Sequence, residues 1–231
     1  MNMDDQKPEG ILLIDKPAGP SSARMVGRVK RLFPRGTKVG HAGTLDPFAT
    51  GLLIVLVGRA TRRCELLMDE VKVYEATVRF GATTPTEDPT SPEQPWPDAA
   101  EIPCRDVEDA LGRYVGEVMQ RPSAFSALRI GGKRAYALAR AGEPVDLPCR
   151  PVRIHALDLL GYQWPVLSIR ITCGRGTYIR ALARDLGEAL KVGGYLTALR
   201  RTRVGAFDVQ FASDVATLST DNVRQALRLG T

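Results

Sequence analysis

An α+β fold on a largely antiparallel sheet is the expectation from three features of this 231-residue chain. Short apolar or alternating runs that read as strands recur along it, and helical patterns interrupt them irregularly instead of in a βαβ rhythm. No repeat period or low-complexity tract stands out. Hydrophobic residues at 44% and charged residues at 25% are ordinary globular values, which exclude a disordered tail or a fibrous repeat. At this length one self-sustaining domain over residues 1–231 is expected.

Each element has its own signal. Gly10 to Ile14 is a short apolar run ended by Asp15, Lys16 and Pro17, a buried strand leading into a turn. Ser21 and Ser22 cap a helix with Met25, Val26, Val29 and Leu32 inward and Arg24, Arg28 and Arg31 outward, stopped by Pro34. Leu52 to Val57 is uniformly apolar, a strand buried on both sides. Val71 to Phe80 alternates, with Tyr74, Ala76, Val78 and Phe80 on one face. Thr83 to Pro103 is rich in Pro and acid and reads as an exposed loop. Helices follow at Asp106–Val115 and Lys133–Ala141, the second closed by Gly142. Strands are expected at Val152–Leu160 and Val166–Cys173, joined through Gly161 and Pro165. A helix spans about Tyr178 to Lys191 with Ile179, Leu182, Leu186 and Leu190 inward, then a strand from Arg203 to Phe211 and a short terminal helix capped at Asp221.

Several classes drop out. No apolar run approaches the roughly 18 residues a membrane span requires. The start, MNMDDQKPEG, is acidic and polar where a secretion signal is basic and then apolar, so a cytoplasmic location is expected. Cys64, Cys104, Cys149 and Cys173 show no CxxC spacing, and only His41 and His155 could join them. Neither a disulfide framework nor a metal site is readable, and four buried reduced thiols are expected.

The net charge of +6 is unevenly placed. Lys16 to Arg63 holds ten Lys or Arg and a single acid, Asp46. Arg121–Arg153 and Arg170–Arg203 are basic too, whereas Glu87 to Asp109 holds eight acids against one Arg. Basic blocks that converge form a groove for a polyanion; apart, they are ordinary solvated faces.

In the most basic block lies Gly40-His41-Ala-Gly43-Thr-Leu-Asp46-Pro47-Phe-Ala-Thr-Gly51. Its glycines permit tight backbone geometry and Pro47 restricts it, so the segment is an ordered loop. It lacks the Lys that follows the last Gly of a phosphate-binding loop, and no GxSxG is present. What remains is one carboxylate among cations, held ionised as a nucleophile or electrostatic stabiliser must be. An Asx turn before Pro47 accounts for the same residues.

GILLIDKP at 10–17, GHAGTLDPFATG at 40–51, KVY at 72–74, GTYIR at 176–180 and LRR at 199–201 occur in that order over nearly the whole chain. Together they resemble the motifs of the TruB family of tRNA pseudouridine-55 synthases. The resemblance implies a pseudouridine synthase fold, a mixed, mostly antiparallel sheet flanked by helices. A thumb-like RNA-binding insertion is implied at 121–150, containing Phe125, Lys133, Arg134 and Arg140 and hinged at Gly131-Gly132. It implies that Asp46 attacks a uridine flipped out of the T-arm of tRNA, that the glycosidic bond breaks, and that the base reattaches through carbon 5. Tyr74 looks like the tyrosine that stacks on the uracil and helps remove the C5 proton, although its position also suits a core aromatic. Tyr178 and Leu199 match residues lining the uracil pocket, and His41 the histidine that fills the space left by the extruded base. Lys16 and Pro17 match a motif buttressing the active-site loop.

Arg180 falls in the first turn of a helix with Thr177 as its expected cap, where the macrodipole disfavours a cation, so it requires an acidic partner or an exit to water. The family supplies Asp46 as that partner. Arg184 is expected to reach water or to pair with Glu188.

The family's reaction is an isomerisation, so no cofactor or metal is expected, and the implied partner is tRNA, bound by a monomer without protein partners. A non-catalytic tRNA-binding or tRNA-folding protein would share the groove, and a guide-RNA-dependent relative would share the motifs. The family commonly continues into a C-terminal RNA-binding module, which is not expected before Thr231. If the basic blocks grip phosphates, RNA affinity measured by filter binding falls about a thousandfold or more between 50 and 200 mM salt. A flat salt response contradicts the groove.

Overall fold

The computed structural model describes residues 7–126 and 128–228, with backbone alone at 129, 130, 133 and 134. The first six residues of the acidic start and the side chains of Lys133 and Arg134 lie outside that description. Along the chain the elements are β1 (Gly10–Lys16), α1 (Ser22–Lys30), β2 (Val39–His41), β3 (Thr50–Val57), α2 (Cys64–Asp69), β4 (Lys72–Phe80), β5 (Ala82–Thr83), β6 (Gln94–Pro95) and α3 (Cys104–Arg113). There follow β7 (Gly116–Gln120), β8 (Arg129–Ile130), β9 (Lys133–Arg134), α4 (Ala135–Arg140), β10 (Arg150–Gln163), β11 (Val166–Cys173), α5 (Ile179–Ala189), β12 (Gly194–Val204), β13 (Phe207–Asp208) and β14 (Ser213–Asp214). The fold is α+β, and it divides into two compact units, one reaching to Tyr74 and resuming at Arg200, the other spanning Glu75–Leu199.

In the first unit the strand order is β14-β1-β3-β12, with β2 also on β3 and β13 on β12. β1 and β3 are antiparallel from Gly10 opposite Val57 to Lys16 opposite Gly51, while β3 and β12 are parallel with Arg201 opposite Gly51. Lys16, Gly51 and Arg201 therefore share one row of the sheet. The uniformly apolar β3 is buried from Gly51 to Val57 and forms a core with Ile11, Leu13, Ala42, Leu67 and Val204. α1 buries Met25 and Val29, and its cap Ser21 accepts from the Arg24 amide.

The second unit orders its strands β12-β4-β11-β10-β7. β10 is antiparallel to both β11 and β7. Helix α5 buries Ile179, Ala181, Leu182, Ala183 and Leu186, an apolar stripe at helical spacing. On β4, Ala76, Val78 and Phe80 are buried, as the alternation predicts.

Several expectations are corrected. The strand placed at Arg203–Phe211 runs instead from Gly194 to Val204; its Arg-Arg pair and leading Gly hide the alternation. Residues 221–226 form turns, not a helix. The acidic Pro-rich stretch is not a wholly exposed loop: it contains β6, and Thr84 and Asp88 are buried. Gly131 and Gly132, expected as a hinge, have φ of +55° and +84° and make the tight turn between β8 and β9. That hairpin moves the start of the following helix from Lys133 to Ala135. Cys104 and Cys149 are exposed, Cys64 is half-buried, Cys173 is buried, and none of the four is in a disulfide.

Gly51 has φ +100°, and a Cβ there would lie 2.3 Å from the Arg201 carbonyl oxygen. Gly51→Ala should lower stability by at least about 3 kcal/mol from strained backbone and overpacking together. A shift in urea unfolding worth less than about 1 kcal/mol contradicts this reading of the row.

Candidate active site

Asp46, His41, Lys16, Pro17 and Tyr74 belong to the first unit, and Tyr178, Arg180 and Leu199 to the second. In the first unit the Asp46 loop is tied on both sides. Before it, the buried Ser22 hydroxyl donates to the Leu45 carbonyl at 3.0 Å and accepts from the Leu45 amide at 2.9 Å. After it, the Pro47 carbonyl accepts from the Gly19 amide at 2.8 Å and from Lys16 Nζ at 3.1 Å. The Ala49 amide closes the turn on the Asp46 carbonyl at 3.2 Å. The Asp46 side chain is half-buried.

Lys16 is fully buried, and its ammonium also donates to the carbonyls of Pro17 at 2.8 Å and Pro20 at 2.9 Å. Three donors meet three carbonyls. Burial lowers Lys16 from 10.5 to about 8, and the Asp46 carboxylate opposes that shift. Pro17 itself is exposed and contributes through its carbonyl.

Across Gly51, the buried Arg201 donates from Nε to Leu52 O at 2.8 Å and from Nη2 to Gly43 O at 3.1 Å. Burial, assisted by the Arg201 charge, lowers His41 below its ordinary 6.5, so the imidazole is neutral at pH 7. Its Nδ1 is buried without a hydrogen-bond partner among the described residues. Half-buried Tyr74 follows Lys72, whose buried ammonium donates to the carbonyls of Met68 and Glu70.

In the second unit Tyr178 is the N-cap of α5 and makes no side-chain cap. Thr177, the expected cap, instead donates its hydroxyl to the Gly174 carbonyl at 3.2 Å, closing the turn ahead of the helix. The buried Gln120 grips Tyr178 at two points, accepting from its amide at 2.9 Å and donating to its carbonyl at 3.1 Å. The Arg150 guanidinium lies 5.1 Å from the Tyr178 ring centre and donates to Gly176 O at 2.8 Å. Leu199 is buried.

Arg180, also buried, donates to Thr86 O at 2.9 Å, Ser123 Oγ at 3.3 Å and Phe125 O at 3.0 Å, and lies 3.6 Å from Asp88. Its acidic partner inside this unit thus comes from the stretch read as a solvent loop. Arg184, only partly exposed, pairs not with Glu188 but with Glu87 at 2.5 Å and Asp185 at 2.7 Å. A buried carboxylate one loop away competes better for a guanidinium than an exposed one on the same helix.

Ser22, Gln120, Ser123, Asp88 and Arg201 are the site residues the sequence reading missed. For Arg201 a signal existed. Leu199 and Arg201 are two apart on a strand, so a buried leucine places that arginine inward as well.

Residues 30–179 match the TruB family pseudouridylate synthase N-terminal domain. The chain belongs to the TruB family of pseudouridylate synthases. Residues 180–228 match the tRNA pseudouridylate synthase B C-terminal domain, a second family segment lying inside this chain. The tRNA pseudouridine synthase B of Corynebacterium glutamicum strain R is 44% identical over 236 residues, covering 98% of this chain and 79% of its own. That of Mycobacterium bovis BCG is 48% identical over 214 residues, covering 91% and 72%. Among solved structures, a Cbf5–Nop10–Gar1 complex gives a TM-score of 0.73 at 25% identity, covering 99% of this chain and 66% of that one. In TruB terms Asp46, His41, Tyr74 and Tyr178 fall in the N-terminal match, Arg180 and Leu199 in the C-terminal match, and Lys16 and Pro17 ahead of both.

Neutral Lys16 has two donors, so it gives up one of its three carbonyl contacts and Asp46 loses a neighbouring cation. Synthase activity should therefore fall on the alkaline side with a midpoint near 8. Folding stability should move the other way. Between about 8 and 10.5 the native Lys16 binds fewer protons than the unfolded one, so its contribution to stability rises with pH. Activity and urea unfolding measured together from pH 7 to 10, with Lys16→Met lacking the limb at 8, test this. Wild-type activity that stays flat to pH 9 contradicts it.

Proposed function

We propose that this chain isomerises uridine to pseudouridine in the T-loop of tRNA, at position 55, with Asp46 as the nucleophile. The observation that carries the reading is the Asp46 loop, tied at Leu45 by Ser22 and at Pro47 by Lys16, so the carboxylate between them has little freedom to lose. The relatives' name, tRNA pseudouridine synthase B, supports tRNA as the substrate class.

A uridine stacked in an RNA fold is out of reach of such a loop, so the base is flipped out, at a cost of a few kcal/mol repaid by stacking and phosphate contacts. Asp46 then attacks the flipped nucleotide. The N1–C1′ bond breaks, the base turns, a C5–C1′ bond forms, the bond to Asp46 breaks and frees its carboxylate, C5 loses its proton and N1 gains one. Nothing is oxidised or lost, and no cofactor takes part. Lys16 supplies positive potential at the Asp46 carboxylate. Tyr74 stacks on the uracil and assists removal of the C5 proton, Tyr178 and Leu199 line its pocket, and neutral His41 occupies the vacated space in the RNA. The enzyme works in the cytoplasm on bare tRNA, as a single chain.

Release of tritium from C5-labelled, unmodified tRNA tests the reading. The wild-type chain should release label, and Asp46→Asn should lose at least about a thousandfold in rate while still binding tRNA. Silence from both proteins sinks the enzymatic reading and leaves a tRNA-binding protein. Activity only with added guide RNA and protein partners points instead to a guide-dependent enzyme.

A further inference from the structure

Arg180 and Arg184 sit one turn apart on α5 and reach into the same two segments. From residues 84–88, Arg180 takes the Thr86 carbonyl at 2.9 Å and Asp88 at 3.6 Å, while Arg184 takes the intervening Glu87 at 2.5 Å. From residues 121–125, Arg184 takes the Arg121 carbonyl at 2.8 Å, and Arg180 takes Ser123 at 3.3 Å and the Phe125 carbonyl at 3.0 Å. The two guanidiniums are rungs of one ladder between two loops.

Glu87 is the residue at which that ladder is set. Its φ is +60°, a left-handed conformation that a glutamate adopts only when its surroundings impose it. Its amide donates to Thr84 O at 3.0 Å, its carbonyl accepts from the Leu196 amide at 3.1 Å, and its carboxylate is held by Arg184. Arg184 is itself oriented by Asp185, through Nε at 2.9 Å and Nη2 at 2.7 Å. The left-handed turn at Glu87 separates the two groups that touch Arg180, so moving Glu87 moves both.

We propose that Glu87 and Arg184 are a positioning pair that holds the Thr86 carbonyl and the Asp88 carboxylate on Arg180. This rests on the pseudouridine synthase reading, in which Arg180 is the arginine that the family resemblance assigns to Asp46. Neither Glu87 nor Arg184 touches substrate in this account; both act through Arg180. Glu87 faces Arg184 and Arg180 from α5, Ser123 from the 121–125 segment and Asp88 on its own loop. Burial pushes its carboxyl above the usual carboxylate range, with the charge of Arg184 opposing. Acidification therefore discharges Glu87 before ordinary carboxylates and releases Arg184.

The full chain is assayed by tritium release as wild type, Glu87→Gln and Glu87→Gly. Glycine accepts the positive φ without strain and separates the backbone role from the charge. Both variants should fold, as judged by thermal melting, and lose about ten- to a hundredfold in kcat with KM within about twofold. Wild-type kcat should fall on the acid side above the ordinary carboxylate range, and Glu87→Gln should lack that limb. An active wild type with an equally active Glu87→Gly, a loss confined to KM, or an acid limb that persists in Glu87→Gln overturns the inference alone. A silent wild type overturns the functional reading and this inference with it.

Discussion

A cation removed from water must be met on every donor, and Lys16 is the place where this chain accepts that constraint. An unpaired buried ammonium costs several kcal/mol. Here its three donors are matched by the carbonyls of Pro17, Pro20 and Pro47, two just beyond its own strand and one in the Asp46 loop. Those carbonyls have no ladder partner, because the chain is turning, so cation and carbonyls satisfy one another. The β1–β3 register fixes where this happens: Lys16 ends its strand opposite Gly51, where the Asp46 loop enters β3. The hydrophobic core beneath holds the strands, and the ammonium transmits their position to the loop.

The same device recurs. Arg201 satisfies Leu52 and Gly43 on the other side of Gly51, and Lys72 satisfies Met68 and Glu70 before Tyr74. In the second unit Arg180, Arg184 and Arg150 take carbonyls at Thr86, Phe125, Arg121 and Gly176. Cationic side chains act as caps for irregular backbone, a role for which long donors with several N–H groups are suited. This reshapes the meaning of the basic composition. Lys16, Arg180 and Arg201 are buried and unavailable to phosphate, so any electrostatic grip on RNA comes from the exposed remainder.

Legibility followed the reach of local patterning. The α+β class, the strands β3 and β11 and the helices α1 and α5 are written in apolar period and capping chemistry, which short stretches carry. The Asp46 loop is legible because its glycines, proline and acid sit together in sequence. The ladder on α5 is not, because Thr86, Glu87 and Asp88 lie in a segment whose prolines and acids have the composition of a solvated loop. Only burial by α5 distinguishes them, and burial between residues almost a hundred positions apart has no local signal. Gln120 escaped for a related reason: β7 is five residues with exposed alternates, too short for a pattern, and its last side chain serves Tyr178, 58 positions on.

The row Lys16–Gly51–Arg201 also bears on how the gene can vary in length. Leu45 is pinned to Ser22, Pro47 to Lys16, and Gly51 is aligned with a neighbour on either side. Between those pins there is no slack: one added or deleted residue would shift Gly51 out of its row and set a side chain against the Arg201 backbone. Insertions are therefore better accommodated in the exposed stretch around residues 97–101 than in the window from 45 to 51, whose length is fixed by its pins.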